Sequence, residues 1–440
     1  MSKLPDAQIL KEVISRAVAT RRDLHQHAEM GLAEFRTASK VMERLEALGL
    51  EVLIGSQVMD ASQIVGLPPE LDMQAYRDRA LQQGITEELL QRMDGGLTGV
   101  VGVLDTGKPG PVLALRVDMD ALPIFESDSG AHQPAQDGFR SVHDGIMHAC
   151  GHDVHTAIGL AVAEFLSKAR GQLRGKIKFL FQPAEEGGRG GLPMAASGIV
   201  DDVDYLIAIH VGTGVPSGVI RPAVYGHLAS LKWDVRLAGL AAHAGGRPEE
   251  GRNVLLAAAH AVVGLYSIAR HHAGRSRVNV GVLKAGSGRN VIADSATLIM
   301  ELRGETDDIL DYMEKRAFEV LKGAAAMQDV SCDIEVVGRS ITADSDANLA
   351  ARIAASGQGV ESVRIDTQPY ETGGSEDATY LMRRVQERGG QAVYCAIGSD
   401  LPTGHHTRTF DIQESDMGPA IEVLARSLVD LGEAPKINGQ

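Results

Sequence analysis

The sequence predicts an α/β protein in two parts: a discontinuous larger domain on a mostly parallel sheet, and a ferredoxin-like domain inserted into it. Three observations predict this. Short apolar runs alternate with helical patterns in the first half, as in a parallel sheet covered by helices. After about Gly226 the order becomes strand, helix, strand, strand, helix, strand, the βαββαβ pattern of a compact unit. Fifty glycines in 440 residues supply the tight strand-to-helix turns.

Two helices are expected in the first 50 residues. One runs from about Asp6 to the pair Arg21 and Arg22; the other carries Phe35, Val41, Met42, Leu45 and Leu48 at helical spacing and stops at Gly49. Residues 58–96 read as a polar insertion with a helical patch at 71–93. Strands follow at 100–104 and 112–117, a helix at 154–169, and strands at 176–181 and 205–210. In the inserted domain the strands are 231–237, 278–283, 296–303 and 332–337, with helices at 251–270 and 307–326. The chain then returns to α/β from about residue 347, with helices at 375–384 and 414–431 and a strand at 391–397. The expected division is 1–228 and 341–440 for the larger domain and 229–340 for the inserted one.

Composition bounds the function. Forty-three basic residues against 58 acidic give a net charge of −15, and aromatic residues make up only 4%. Neither suits a nucleic-acid partner, which needs a basic surface or stacking platforms. Cys150, Cys332 and Cys395 are too few for a disulfide framework, so a reducing, cytoplasmic compartment is expected. The start, MSKLPDAQIL, has no basic region leading into an apolar one, and no secretory signal is expected. The longest mostly apolar stretch, 254–269, is too short to span a bilayer, so no membrane partner is expected.

Four clusters could carry chemistry, at strand ends or in loops, where open α/β sheets bind ligands. In His148-Ala-Cys150-Gly-His152-Asp153 a thiolate and an imidazole two residues apart can face one ion. The plain reading is a buried cysteine beside a helix-capping aspartate. Glu185 and Glu186 follow an apolar strand and Pro183; a metal would relieve their mutual repulsion, leaving one carboxylate as a proton shuttle. Alone, they read as two surface acids. His210 ends a buried apolar strand and could be a core histidine. His405 and His406 could be an exposed polar loop. Together, mixed N, O and S donors from separate segments with a spare carboxylate suit one or two divalent transition ions in a hydrolytic site.

The motifs RVDMDALP, MHACGHDVHTA, FQPAEEG, AAHAGGRPEEGRNVLLAAA and GSEDATYLM resemble the co-catalytic metal amidohydrolases of the aminoacylase and carboxypeptidase family. Within it the sequence looks like the branch that cleaves N-acyl amino acids and auxin conjugates, and the resemblance runs from about Arg21 to Leu431. It implies a metal-dependent amidohydrolase whose larger domain is catalytic and whose inserted domain is a lid that carries the dimer contact. It implies one or two ions, Mn2+ or Zn2+, on Cys150, His152, Glu186, His210 and His406, with Glu185 as general base. His406 is preferred to His405 because the family's last ligand lies four residues before a phenylalanine, here Phe410. Many members have a histidine ligand where Arg116 stands, and Cys150 would replace it. The resemblance also implies that Asp118 orients a ligating imidazole, that His243 of the lid stabilises the oxyanion in a partner's site, and that Asn290 and Arg303 hold the substrate's carboxylate end. The implied partners are a small N-acyl amino acid and a second chain, as a homodimer or as a heteromer with a related subunit. The same motifs fit other N-acyl or indole-acetyl amino acids, and an aromatic amine.

Overall fold

The computed structural model describes residues 6–437; expectations for residues 1–5 and 438–440 lie outside them. The chain divides into two compact units. The larger holds the residues up to Tyr225, Ala343–Thr372 and those from Asp377 on; the smaller holds Gly226–Thr342 and Gly373–Glu376.

The larger unit opens with helices α1 (Ala7–Gln26) and α2 (Phe35–Ala47), strand β1 (Glu51–Ile54), and helices α3 (Glu70–Gln82) and α4 (Glu87–Arg92) of the insertion. The helical patch expected at 71–93 is thus two helices, parted at Gly84, whose φ of +92° a helix cannot use. Strands β2 (Val100–Asp105) and β3 (Val112–Asp118), helices α5 (Gln133–Gln136) and α6 (His152–Ser167), and strand β4 (Lys176–Gln182) come next. Helix α7 (Gly191–Ala196) and strands β5 (Tyr205–Val211) and β6 (Val219–Arg221) complete the first segment.

The smaller unit holds β7 (Ala229–Ala238), α8 (Val254–Tyr266), β8 (Ser276–Ala285), β9 (Ser295–Gly304), α9 (Asp307–Ala326) and β10 (Ser331–Ser340). The return to the larger unit brings α10 (Ala347–Gly357), β11 (Arg364–Ile365), α11 (Ala378–Glu387), β12 (Gln391–Ile397) and α12 (Met417–Gly432).

The larger unit is built on one eight-stranded sheet, ordered β1-β2-β4-β3-β5-β12-β6-β11. Its central strands β4, β3, β5 and β12 run parallel, while β1 and β2 are antiparallel at one edge. The parallel strands are buried on both faces and therefore read as largely apolar runs, interrupted in β3 and β5 by Arg116, Asp118 and His210, and every residue of those two strands is buried. Helices α1, α2, α6 and α12 pack one face and α7 and α11 the other. Carboxyl ends of the parallel strands therefore open at one rim, where β3, β4 and β5 release Asp118, Glu185 and His210.

The smaller unit is a four-stranded antiparallel sheet, ordered β10-β7-β9-β8, with α8 and α9 packed on one face. This is the ferredoxin-like arrangement expected from the βαββαβ order. Alternate residues of β9, Leu298, Met300 and Leu302, enter its core.

Candidate metal centre

Cys150, Gly151 and His152 form the entry to α6. Gly151 has φ +93°, and a Cβ there would meet Val211 Cγ2 at 2.5 Å, so only glycine lets Cys150 and His152 project the same way. His152 is the first residue of the helix and fully buried. Its Nδ1 lies 3.2 Å from Asp120 Oδ1, which fixes the ring and turns Nε2 inward. That Nε2 is buried with no hydrogen-bond partner, 3.8 Å from Glu185 Oε2 and 3.9 Å from Glu186 Oε1.

Glu185 and Glu186 sit in a short turn directly after β4. Ala184 is held at φ +52°, a strained conformation for a residue with a side chain. Its N–H donates to Glu34 Oε1 at 2.8 Å, and Thr98 donates to the other oxygen of Glu34. The N–H groups of Glu185 and Glu186 both donate to Asp120, at 2.9 and 3.0 Å. One buried carboxylate thus aligns His152 and both glutamates.

His210, near the end of β5, donates from Nδ1 to its neighbour Val211 O at 2.8 Å, leaving Nε2 free to face Cys150 Sγ at 3.5 Å. Burial, then the neighbouring His155 and His405, hold its pKa well below the ordinary histidine value. A neutral ring is the form that ligates. Burial, then Glu186, pushes the Cys150 thiol well up. Only a cation at its sulfur would make the thiolate favourable there.

The histidine pair separates by geometry. His405 is half-buried and points Nε2 at Val211 O, 3.3 Å away, and burial lowers its pKa to about 4. His406 is half exposed, has φ +61°, is fixed by its N–H to Ala149 O at 2.8 Å, and brings Nε2 to 3.4 Å from Glu186 Oε2.

The expected ligands therefore meet in two overlapping groups, Cys150–His152–His210 and Cys150–Glu186–His406, each with donor atoms within 4.8 Å of one another. Donors bound at about 2.0–2.3 Å to one tetrahedral ion lie roughly 3.3–3.8 Å apart, close to the spacings here. The orphaned His152 Nε2 and the mixed thiolate, imidazole and carboxylate set fit a divalent transition ion.

Asp118 stands differently from its expected role. It lies 3.8 Å from His152 Nδ1 but receives its close contacts from His155 Nδ1 at 2.5 Å and Arg116 at 2.7 Å. The direct contact to His152 comes from Asp120. Three residues passed over in the sequence thus matter here: Asp120, Glu34 and His155, whose Nε2 accepts from Val211 N–H at 2.9 Å. Asp120 is the second aspartate of RVDMDALP, and His155 lies one helical turn from His152; both spacings were visible. Arg116 is fully buried and bonds Gln182 Oε1 at 2.8 Å as well as Asp118, so it serves as a fixed cation behind the donors.

In the smaller unit His243 and Asn290 are neighbours. Ala244 N donates to Asn290 O at 3.0 Å, and His243 pairs with Val291. Both side chains are exposed, and His243 Nδ1 accepts from Gly245 N at 3.2 Å. Arg303 lies at the other end of β9, eight residues from Ser295 and so roughly 26 Å along the strand. Two contacts of 3.1 Å tie it to Glu301.

Residues 114–430 match the family described as peptidase family M20/M25/M40. The chain belongs to this family. M20-type peptidases are hydrolases of amide bonds, and the enzyme class expected from the motifs stands with that membership. The chain is 47% identical to indole-3-acetyl-aspartic acid hydrolase of Enterobacter agglomerans, over 95% of this chain and 96% of that one. It is 46% identical to one subunit of the p-aminobenzoyl-glutamate hydrolase of Escherichia coli (strain K12), over 93% of this chain and 94% of that one. The crystal structure of the aminobenzoyl-glutamate utilization protein from Klebsiella pneumoniae superposes with a TM-score of 0.81 at 43% identity, covering 96% of this chain and 97% of that one. The insertion at 58–96, RVNVGVLKAGSGRN and the late GHH already made the sequence resemble that hydrolase subunit within the M20 family, and the comparisons bear this out.

Proposed function

We propose that this M20-family chain hydrolyses the amide bond of p-aminobenzoyl-glutamate to p-aminobenzoate and glutamate. One or two divalent ions, Mn2+ or Zn2+, would be held by Cys150, His152, His210, Glu186 and His406. The observation that carries the reading is the convergence of these five side chains from four chain segments into two donor groups sharing Cys150, with Glu185 alongside. An ion in such a site polarises a carbonyl and lowers the pKa of bound water.

The chain's own residues do the rest. Glu185 takes a proton from the attacking water as the new C–O bond forms, and returns it to the amide nitrogen as the C–N bond breaks. His243 donates to the developing oxyanion, Arg303 holds the leaving amino acid's α-carboxylate, and Asn290, beside His243 at the far end of the sheet, reaches that carboxylate from the second copy. His243 and Arg303 lie at opposite ends of the β7–β9 sheet, which favours their serving different sites in a dimer, with His243 acting on the partner. A related subunit in place of the second copy is the alternative, since one relative is itself named as a subunit. Three free cysteines fit a reducing, cytoplasmic compartment. Among the described residues no helix is long and apolar enough to cross a membrane.

Similarity to the indole-3-acetyl-aspartic acid hydrolase favours a second substrate with the same kind of leaving group. A panel of p-aminobenzoyl-glutamate, indole-3-acetyl-aspartate and N-acetyl amino acids, followed by release of the free amino acid, tests the reading. Highest kcat/KM on p-aminobenzoyl-glutamate is expected; a preference for the N-acetyl compounds would overturn the acyl assignment.

A further inference from the structure

We propose that Arg277 determines specificity: with Arg303 it forms a two-arginine site that binds both carboxylates of a dicarboxylic leaving amino acid. The inference rests on the amide hydrolysis proposed above and adds to it the group that reads the second carboxylate.

The register of β8 and β9 sets Arg277 directly opposite Arg303. Residues opposed in this way have Cα atoms about 4.5–5.5 Å apart, and like charges there are destabilising. Both side chains lie on the sheet face away from α8 and α9. Arg277 is exposed beside buried Val278, and Arg303 is half-buried next to core Leu302.

Neighbouring cations on this face have acidic partners. Arg303 is held by Glu301, and Arg275 donates to Glu305 at 3.0 Å. Among the described residues Arg277 makes no ion pair. Both oxygens of Glu301 already engage Arg303, so the acid steadies one fork without answering the second charge. Two guanidinium groups on paired strands, with one carboxylate two residues along β9 that serves Arg303 alone, leave a net positive spot that suits a small diacid. Arginine binds carboxylates in two-pronged fashion, and glutamate or aspartate carries its two carboxylates on a chain of comparable reach. Arg303 then takes the α-carboxylate and Arg277 the side-chain carboxylate.

The test compares kcat/KM for p-aminobenzoyl-glutamate and p-aminobenzoyl-glutamine in the metal-loaded parent, R277Q and R303Q. Losing one charge-assisted pair costs about ten- to hundredfold, so R277Q should lower the glutamate-to-glutamine ratio by at least about tenfold. R303Q should lower both substrates alike. A ratio in R277Q within twofold of the parent's overturns the assignment while leaving the hydrolase reading intact. A parent that cleaves neither conjugate overturns the p-aminobenzoyl-glutamate reading, and this inference with it.

Discussion

Glu185 and Glu186 are adjacent in the chain and chemically alike, and their surroundings divide their tasks. Glu186 reaches toward His406, 3.4 Å away, while Glu185 points its Oε2 to the inner nitrogen of His152. E185Q should therefore keep the metal and lose turnover by about 10²–10⁴-fold, checked by metal analysis and kinetics on one preparation. Asp120 supports both glutamates and His152, so D120N should weaken metal binding about 10–100-fold, read by competition with a chelating dye. Unchanged affinity would remove Asp120 from that role. The candidate donors were legible in the sequence because thiol, imidazole and paired carboxylates recur on separate segments inside motifs that resemble those of the family. Asp120 and His155 were passed over although their spacing was visible, because only the fold shows that one bonds His152 and the other bridges Asp118 to the end of β5.

At the scale of elements, α1 ties down the segments that carry the centre. Its Arg21 is fully buried and bonds Asp153 at 2.9 Å, Glu414 at 3.1 Å and Asp411. Asp153 follows the proposed ligand His152 on α6, and Asp411 lies five residues beyond His406. R21M would strand three carboxylates and should cost about 3–5 kcal/mol in urea unfolding. One turn on, buried His25 bridges Asp153 and Glu126, each at 2.9 Å. Burial opposes its charge, but hydrogen bonds to both carboxylates raise it to about 9 from 6.5. A raised histidine stabilises fully below pH 6.5 and loses that contribution as pH rises through 9. The parent should thus lose stability between pH 6.5 and 9, and H25Q should flatten that slope in urea melts taken across the range. A parallel slope in H25Q would refute the bridge. Elements with a clear pattern were legible: helix α9 is found at the expected 307–326, and the βαββαβ order announced the ferredoxin-like sheet. Strand β1, helices α7 and α10, and the three- and two-residue strands β6 and β11 were missed. The short strands offer too few residues for a period, and their pairing is decided by distant neighbours, whereas α10 carries a helical period at Leu349 and Ile353 that was passed over.

For the whole molecule, the chain leaves its larger unit at Tyr225 and returns at Ala343, with the smaller unit folded between. Because His243 and Arg303 lie at opposite ends of one sheet, the proposed reaction uses two copies of it. Mixing inactive E185Q with inactive H243A should restore activity, since one site of the mixed dimer has an intact Glu185 and a partner's intact His243. Up to about a quarter of parent turnover per chain is expected after unfolding and joint refolding, a statistical share for closed two-fold dimers. Complete absence of rescue would contradict action across the dimer. The order of the ferredoxin-like elements was legible from hydrophobic pattern; the distance between His243 and Arg303 was not, because only the β7–β9 register fixes it.

The proposed reaction of this M20-family chain is cleavage of p-aminobenzoyl-glutamate with a metal held by the Cys150 groups. The most direct measurement is p-aminobenzoate release by the purified chain before chelation, after it, and after adding back Mn2+ or Zn2+. The account predicts turnover that disappears with the metal and returns with it, and none in E185Q at equal metal content. Undiminished turnover by a chain shown to be metal-free would contradict it.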